Sequence, residues 1–202
     1  MSEDRNGISF REDFQEWWPD YDSAPEKCIG FVRRGLSDML VAAAVCRERR
    51  VCVQAGAHAG LWPRQLATIF KHVWAFEPDV PLYECAVRNL EKARKSVTLQ
   101  RAALGSTTGT ALQRRRSSAG SSRIDAIKGD EVAMTTIDAQ ELCHCDAIYL
   151  DVEGYEVEAL RGAATTIARF RPVLHLEELP RSAEAIRAHV LGLGYKLHRR
   201  VH

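Results

Sequence analysis

Strands alternate with helices along most of this chain, and the alternation limits the possible folds more than any other feature. Strands are predicted at 51–55, 72–76, 97–102, 132–137, 147–152, 172–176 and 195–199. Helices are predicted at 26–47, 61–70, 81–93, 155–170 and 182–193. Strands joined by helices of ten or more residues pair in parallel through right-handed crossovers. The sequence therefore predicts an α/β fold with a doubly wound, Rossmann-like, mostly parallel sheet of about six strands.

The chain divides into an N-terminal arm and one larger domain. Its 202 residues suit a single domain with an appendage. Residues 1–25 form an acidic arm whose four aromatic side chains, Phe10, Phe14, Trp17 and Trp18, are expected to dock on the domain at 26–202. Residues 106–130 are rich in Gly, Ser, Thr and Arg, which predicts a polar loop, or a loop with a short hairpin, inside that domain.

Charge and composition limit the kinds of partner that the protein could bind. A formal net charge of +1 disfavours non-specific binding to nucleic acid. The longest apolar run, residues 39–46, is far shorter than the roughly 20 residues that span a bilayer, so no membrane partner is expected. Six cysteines without a compact spacing predict reduced thiols and a cytoplasmic location.

A glycine turn follows the first strand of the domain, in "VCVQAGAHAG" at 51–60. In a doubly wound sheet the ligand binds beyond the carboxyl ends of the strands, where the strand order reverses. A dinucleotide needs the pattern G-x-G-x-x-G in this turn. No register of residues 54–61 places more than one glycine on that pattern, so NAD is disfavoured.

Six short motifs occur along the chain in a fixed order. They are "QAGAHAG" (54–60), "AFEPD" (75–79), "RAALG" (101–105), "TTIDAQ" (135–140), "YLDVEGYEVEALRGA" (149–163) and "RPVLHLE" (171–177). Together they resemble the FkbM family of methyltransferases that use S-adenosyl-L-methionine (SAM), over about residues 50–178. The resemblance implies a class I methyltransferase sheet with SAM as cofactor. Because few residues follow position 199, we expect the closing antiparallel strand of that fold to be missing or vestigial.

The resemblance also implies which residues bind the cofactor. The methionine end of SAM would lie along Gly56, Ala57 and Gly60, with His58 facing the same pocket. Glu77, at the end of the second strand, would accept both ribose hydroxyls, and Asp151 would lie beside the transferred methyl group. The adenine ring would be bordered by Ala103 and Leu104.

Gln54 departs from the family pattern, which has an acid at this position. That acid is expected to interact with the ammonium group of SAM. Glutamine can accept a hydrogen bond but carries no charge, so weaker cofactor binding is expected, and replacing Gln54 by Asp should strengthen it.

Methyl transfer to a hydroxyl also requires a group that removes a proton. Alternation along a strand places Asp151 and Glu153 on one side, and His175 and Glu177 on one side of the next strand. We expect these four to meet in one cleft, with Asp151 or Glu177 as the base and Glu153 and His175 positioning the substrate. Two alternatives stay open, namely a buried core role for His175 and a first-turn helix role for Glu153. No metal is predicted.

The basic residues of the 106–130 loop have two interpretations. Arg114, Arg115, Arg116, Arg123 and Lys128 outnumber the acids nearby. They could form a solvated mobile surface, or a lid that grips an anionic acceptor.

The favoured function is O-methylation of a sugar hydroxyl or a related small-molecule or glycan acceptor. One alternative is a degenerate, non-catalytic Rossmann-like binding protein, which Gln54 would favour. Another is a nucleic-acid methyltransferase. It is disfavoured because the strand end reads "LDVEG" instead of an amino-methylating tetrad, and because the chain contains no Pro-Cys pair.

Overall fold

The protein is built around a parallel β-sheet. The computed structural model describes residues 3–4, 7–125 and 127–198. The strands, in chain order, are β1 (Glu3–Asp4), β2 (Ile8–Arg11), β3 (Glu16–Pro19), β4 (Val51–Ala55), β5 (His72–Phe76), β6 (Val97–Gln100), β7 (Ala103–Leu104), β8 (Gly109–Arg114), β9 (Arg123–Asp125), β10 (Asp130–Thr135), β11 (Ala147–Leu150) and β12 (Val173–Leu176). The α-helices are α1 (Pro25–Ala44), α2 (Leu61–Leu66), α3 (Val80–Asn89), α4 (Glu156–Arg161), α5 (Ala164–Phe170) and α6 (Ala183–Gly192).

The main sheet has the strand order β12-β11-β4-β5-β6, and each neighbouring pair is parallel. This confirms the predicted doubly wound, Rossmann-like α/β fold. The order reverses between β4 and β11, so the turns that leave these two strands flank the crevice in which such sheets bind ligands.

The main sheet differs from the sequence prediction in its number of strands. Within the described residues it has five strands, whereas the sequence predicts about six. The predicted strand at 132–137 forms instead as β10, which pairs outside this sheet. The predicted strand at 195–199 does not form over 195–198, and its last residue lies outside the described part of the chain.

Helices cover both faces of the main sheet. One face packs against α1, α2 and α3, with Met39 and Tyr149 completely buried between the layers. The opposite face packs against α4, α5 and α6, around Ile148 and Ile167. Among the described helices, none has both the length and the apolar character needed to cross a bilayer.

A second sheet has the order β7-β10-β8-β9. Its β8 and β9 strands lie in the region that the sequence predicts as the polar loop 106–130, and they pair antiparallel. The parallel pairing of β7 with β10 attaches this sheet beside the edge of the main sheet, because β7 follows β6 directly in the chain. Residues 115–122, between β8 and β9, are thereby carried toward the carboxyl ends of the main strands.

The N-terminal strands β1, β2 and β3 form a third, antiparallel sheet that packs on α3. The Asn89 side chain on α3 accepts a hydrogen bond from the Trp17 backbone N–H (2.8 Å) and donates one to the Trp17 carbonyl (3.0 Å). Glu16 and Arg64 form a 2.5 Å ion pair, with Glu16 buried. These contacts fix residues 7–22 against the domain, and Trp18 is completely buried.

Candidate active site

A cleft of about 410 Å³ lies at the carboxyl ends of the main strands. Its inner wall comes from the turns that follow β4, β5, β11 and β12, together with β7. The sequence-predicted residues that line it are Gly56, Ala57, His58, Glu77, Ala103, Leu104, Asp151, Glu153 and Glu177. The fold thus brings together residues that are up to 121 positions apart in the chain, counted from Gly56 to Glu177.

The turn after β4 depends on Gly56, which has φ +22°. A Cβ atom at this position would collide with the backbone carbonyl oxygen of Asp151, so only glycine allows the two turns to approach so closely. The Asp151 N–H donates to the Ala55 carbonyl (2.8 Å), and the Ala57 N–H donates to the Phe76 carbonyl (2.9 Å). The backbone at the ends of β4, β5 and β11 is therefore linked by direct hydrogen bonds.

Gly60 has a different role from the one that the sequence suggests. It has φ +87° and precedes the first turn of α2. A Cβ atom there would lie 3.0 Å from the Cα of Ala86 and 3.1 Å from the Cγ of Leu90, on and just beyond α3. Gly60 therefore allows α2 and α3 to pack closely, and it is not among the residues that line the cleft.

Glu77 projects a buried carboxylate into the cleft. Its Oε2 accepts a hydrogen bond from the His58 N–H (2.7 Å), and its Oε1 accepts one from the Asp79 N–H (3.0 Å). Burial raises the pKa of Glu77 to about 8, although the two backbone donors lower it. Each oxygen keeps a further lone pair, so the group can accept hydroxyl donors from a ligand in the cleft.

Two buried polar atoms near this turn have no hydrogen-bond partner among the described residues. The Gln54 side chain is completely buried; its Nε2 donates to the Gly56 carbonyl (2.8 Å), but its Oε1 is unpaired. The Nδ1 atom of His58 is also buried and unpaired, and burial lowers the pKa of His58 to about 4, so its ring is neutral at pH 7. Buried polar atoms are rarely left unpaired, so these two are candidate contacts for a bound ligand.

Three carboxylates form a cluster at the other side of the cleft. Each of Asp151, Glu153 and Glu177 places a carboxylate oxygen within 4.8 Å of the other two. Burial raises the pKa of both Asp151 and Glu177. Besides burial, the nearby charge of Asp151 also raises the pKa of Glu177. Oxygens in this arrangement could also hold a divalent cation.

The turn that carries the cluster is held by Glu156, which sequence analysis does not identify. Its side chain is completely buried, and Oε1 accepts hydrogen bonds from the N–H groups of Val152 (3.2 Å) and Gly154 (3.1 Å). Glu153 adopts a left-handed backbone conformation (φ +55°) and forms an ion pair with Arg181 at 3.6 Å. The first-turn helix role that the sequence allows for Glu153 thus belongs to Glu156.

His175 does not line the cleft. Its ring packs on Tyr149 with a centroid distance of 5.5 Å, and burial lowers its pKa. The structure thus separates His175 from the other three predicted catalytic residues, and its position corresponds to the alternative of a buried histidine.

The outer wall of the cleft contains residues that no sequence motif indicates. The first turns of α1 contribute Ala24, Lys27, Cys28, Phe31 and Val32, and the segment between β8 and β9 contributes Ser118, Ala119, Gly120 and Ser122. Arg123 of β9 also lines the cleft, whereas Arg115 pairs with Asp79 at 2.6 Å instead. These segments are distant in sequence from the strand-end motifs, and only the tertiary fold brings them to the site.

The raised pKa of Glu177 predicts how the free energy of unfolding depends on pH. A carboxyl whose pKa is raised on folding contributes stability that is fully present below its ordinary value of 4.5 and is lost as pH rises toward the raised value. We therefore expect Glu177→Gln to gain stability relative to the unaltered protein between pH 4 and pH 8, by about 1–2 kcal/mol. Urea unfolding at each pH measures the difference.

The matched control for this measurement is Glu184→Gln, which changes an exposed acid on α6. Its stability difference from the unaltered protein should stay constant over the same pH range. A constant difference for Glu177→Gln as well would show that Glu177 ionises as in an unfolded chain.

Comparison with known proteins relates this fold to methyltransferases. Residues 54–197 match the methyltransferase FkbM domain. The chain is similar to the structure of methyltransferase FkbM from Methylobacillus flagellatus KT, with 21% identity and a TM-score of 0.58 over 72% of this chain and 37% of that one. No curated protein sequence matches the chain.

Two further solved structures share the fold. A precorrin 8W decarboxylase from Methanobacterium thermoautotrophicum has 15% identity and a TM-score of 0.53, over 81% of this chain and 72% of that one. A precorrin-6y C5,15-methyltransferase from Geobacter metallireducens GS-15 has 14% identity and the same TM-score, over 80% and 70%. At such identities these likenesses establish the fold alone.

The chain spans 37% of the length of the Methylobacillus flagellatus structure. The domain match, in contrast, covers well over half of the present chain and includes all the strand ends that form the inner wall of the cleft. The chain therefore belongs to the FkbM methyltransferase family, as the ordered motifs predict.

Proposed function

We propose that this protein is a SAM-dependent methyltransferase that methylates a hydroxyl group of a sugar or a related small acceptor. The observation that carries the proposal is the pairing of two different acidic sites in one cleft. Glu77 offers a hydrogen-bond acceptor at the end of β5, and the Asp151–Glu177 pair offers a proton acceptor at the ends of β11 and β12. Both lie at the switch point of an FkbM-family sheet.

The residues of the inner wall fit SAM. The Glu77 carboxylate accepts the two ribose hydroxyls, since each of its oxygens has a lone pair that is not used by the backbone. The unpaired Gln54 Oε1 and His58 Nδ1 atoms serve the polar methionine end. Leu104, which is buried, contributes an apolar surface for the adenine ring. When bound, SAM supplies the electrophilic methyl group, so the chain contributes binding, alignment and proton removal.

Asp151 is the proposed base. Burial raises its pKa above the ordinary value of 3.8, to about 6, which brings it closer to neutral pH while the group remains largely ionised at pH 7. Glu177, with a carboxylate oxygen within 4.8 Å of one of Asp151, helps to hold that carboxylate in place. Glu153, fixed by Arg181, is left to position the acceptor hydroxyl.

The outer wall supports a small, anionic acceptor, such as a phosphorylated or carboxylated sugar. Lys27 is exposed at the entrance, and Arg123 forms a long ion pair with Asp125, at 4.0 Å. Both cations can therefore turn toward an anionic group. Phe31, with 67% of its surface exposed, offers a flat apolar face beside them. The proposed location is the reducing cytoplasm, which suits the six unpaired thiols.

A non-catalytic binding protein is the second candidate, and Gln54 is the observation that favours it. An uncharged side chain at this position binds a cofactor ammonium less strongly than a carboxylate does. Nucleic acid is not the proposed acceptor, because the net charge is only +1.

Calorimetric titration with S-adenosylhomocysteine (SAH) tests cofactor binding. We expect measurable binding by the unaltered chain and a dissociation constant about 10- to 100-fold higher for Glu77→Ala, because the hydrogen bonds from the ribose hydroxyls are lost. Glu91→Ala, at an exposed acid beyond α3, should leave the affinity unchanged. No heat and no thermal shift at millimolar SAH would contradict the proposed function.

Incubation with SAM and a panel of glycans, sugar phosphates and nucleotides tests the reaction. Mass spectrometry should detect a gain of one methyl group, and Asp151→Asn should lower that rate by about 100-fold or more, since the base is lost. Lys27→Ala should weaken turnover of phosphorylated acceptors more than that of neutral ones.

The matched control for the base is Asp130→Asn, at an exposed position of β10. If the protein binds SAH but no acceptor of the panel gains a methyl group, the result would support the non-catalytic candidate instead.

Gln54 provides a separate prediction. Replacement by Asp removes the hydrogen bond from Nε2 to the Gly56 carbonyl and buries a charge, so the ligand-free protein should unfold at a lower temperature. The same charge attracts the ammonium group of SAH, so the thermal shift on adding SAH should be larger than in the unaltered protein. Equal shifts in the two proteins would show that position 54 does not contact the ammonium group.

A further inference from the structure

Asp79 connects three separate parts of the chain. Its carboxylate is almost completely buried, with 1% of the residue exposed. The Oδ1 atom accepts a hydrogen bond from the Leu82 N–H at the start of α3 (3.1 Å) and a longer one from the Tyr21 hydroxyl (3.4 Å). The Oδ2 atom accepts one from the Nε–H of Arg115 (2.6 Å).

Arg115 lies next to the segment that closes the cleft. It directly follows β8, and residues 117–124, here called the roof segment, contribute much of the outer wall. The Ser117 carbonyl accepts a hydrogen bond from the Ser23 N–H (3.0 Å), and Ala119 is buried. The Arg115 guanidinium also lies 5.2 Å from the centroid of the Tyr21 ring. The roof segment is therefore attached to the N-terminal region and, through Arg115, to the end of β5.

The same attachment reaches the proposed ribose site. Asp79 is two residues after Glu77, and its N–H donates to Glu77 Oε1 (3.0 Å). Movement of Asp79 would therefore disturb the Glu77 carboxylate. A buried carboxylate without a counter-charge is strongly unfavourable, and Arg115 is the cation that pairs with Asp79.

We infer that Arg115 is a positioning residue for the cofactor site, which holds the roof segment over the cleft and Glu77 in register through its ion pair with Asp79. The inference rests on the proposed binding of SAM. It adds to that proposal a basic residue of the 106–130 region that contacts neither the cofactor nor the acceptor. It gives that arginine a role distinct from the surface and lid roles that the sequence suggests.

Titration of Arg115 variants with SAH tests the inference. Arg115→Ala should raise the dissociation constant about tenfold or more. The buried Asp79 then loses its counter-charge, and the roof segment loses the ion pair that attaches it to the end of β5. Arg115→Lys retains the charge and should recover most of the affinity, whereas Arg115→Gln should not. Arg116→Ala, at the adjacent exposed residue, should bind SAH within twofold of the unaltered chain.

Hydrogen–deuterium exchange without any ligand gives a second readout. Amides of residues 117–124 should exchange faster in Arg115→Ala than in the unaltered protein, with no change in Arg116→Ala. If Arg115→Ala does not fold, the SAH affinity and the exchange rates are compared between Arg115→Lys and Arg115→Gln instead.

Arg115→Ala with unaltered SAH affinity and unaltered exchange over 117–124 would overturn the inference while leaving the proposed function in place. Failure of the unaltered chain to bind SAH would instead reject the proposed function and, with it, this inference.

Discussion

The close approach of Gly56 to the Asp151 carbonyl is the contact on which the geometry of the site depends. The two residues follow β4 and β11, the strands between which the order of the main sheet reverses. Any side chain at position 56 would push these turns apart. With glycine there, the Ala57 and His58 amides reach the end of β5, where they bind the Phe76 carbonyl and the Glu77 carboxylate. One missing Cβ atom therefore sets the spacing between three strand ends.

Burial of a carboxylate in this cleft removes it from water, which costs free energy, and the fold offsets this cost in two ways. At Glu77 the offset comes from backbone N–H groups, one bonded to each oxygen. At Asp151 and Glu177 it comes from protonation, which burial favours because it raises the pKa of both carboxyl groups. The first arrangement leaves an acceptor for hydroxyl groups, and the second leaves a carboxylate whose pKa is closer to neutrality. Acids with raised pKa values in a cleft are typical of functional sites.

The sequence predicts the main sheet well because its strands are short apolar runs separated by amphipathic helices. It does not predict which sheet a strand joins: β10 has the strand character expected near 132–137 but pairs with β7 and β8. The inner wall of the cleft is also predictable, since its residues follow strand ends. His175 is a failure of the alternation rule. β12 ends at Leu176, so Glu177 lies beyond the last regular strand residue and need not share a side with His175.

The outer wall could not be predicted from local pattern, because it depends on contacts between segments far apart in sequence. Residues 24–32 lie before the part of the chain that matches the FkbM domain, yet they line the cleft together with residues 118–124. Trp18 packs on the His58 ring at 5.1 Å, so the N-terminal sheet also supports the turn after β4. The inner wall contains the features expected for a cofactor, and the segments added around it form the entrance. In this chain, therefore, much of the surface that surrounds the entrance lies outside the strand-end motifs.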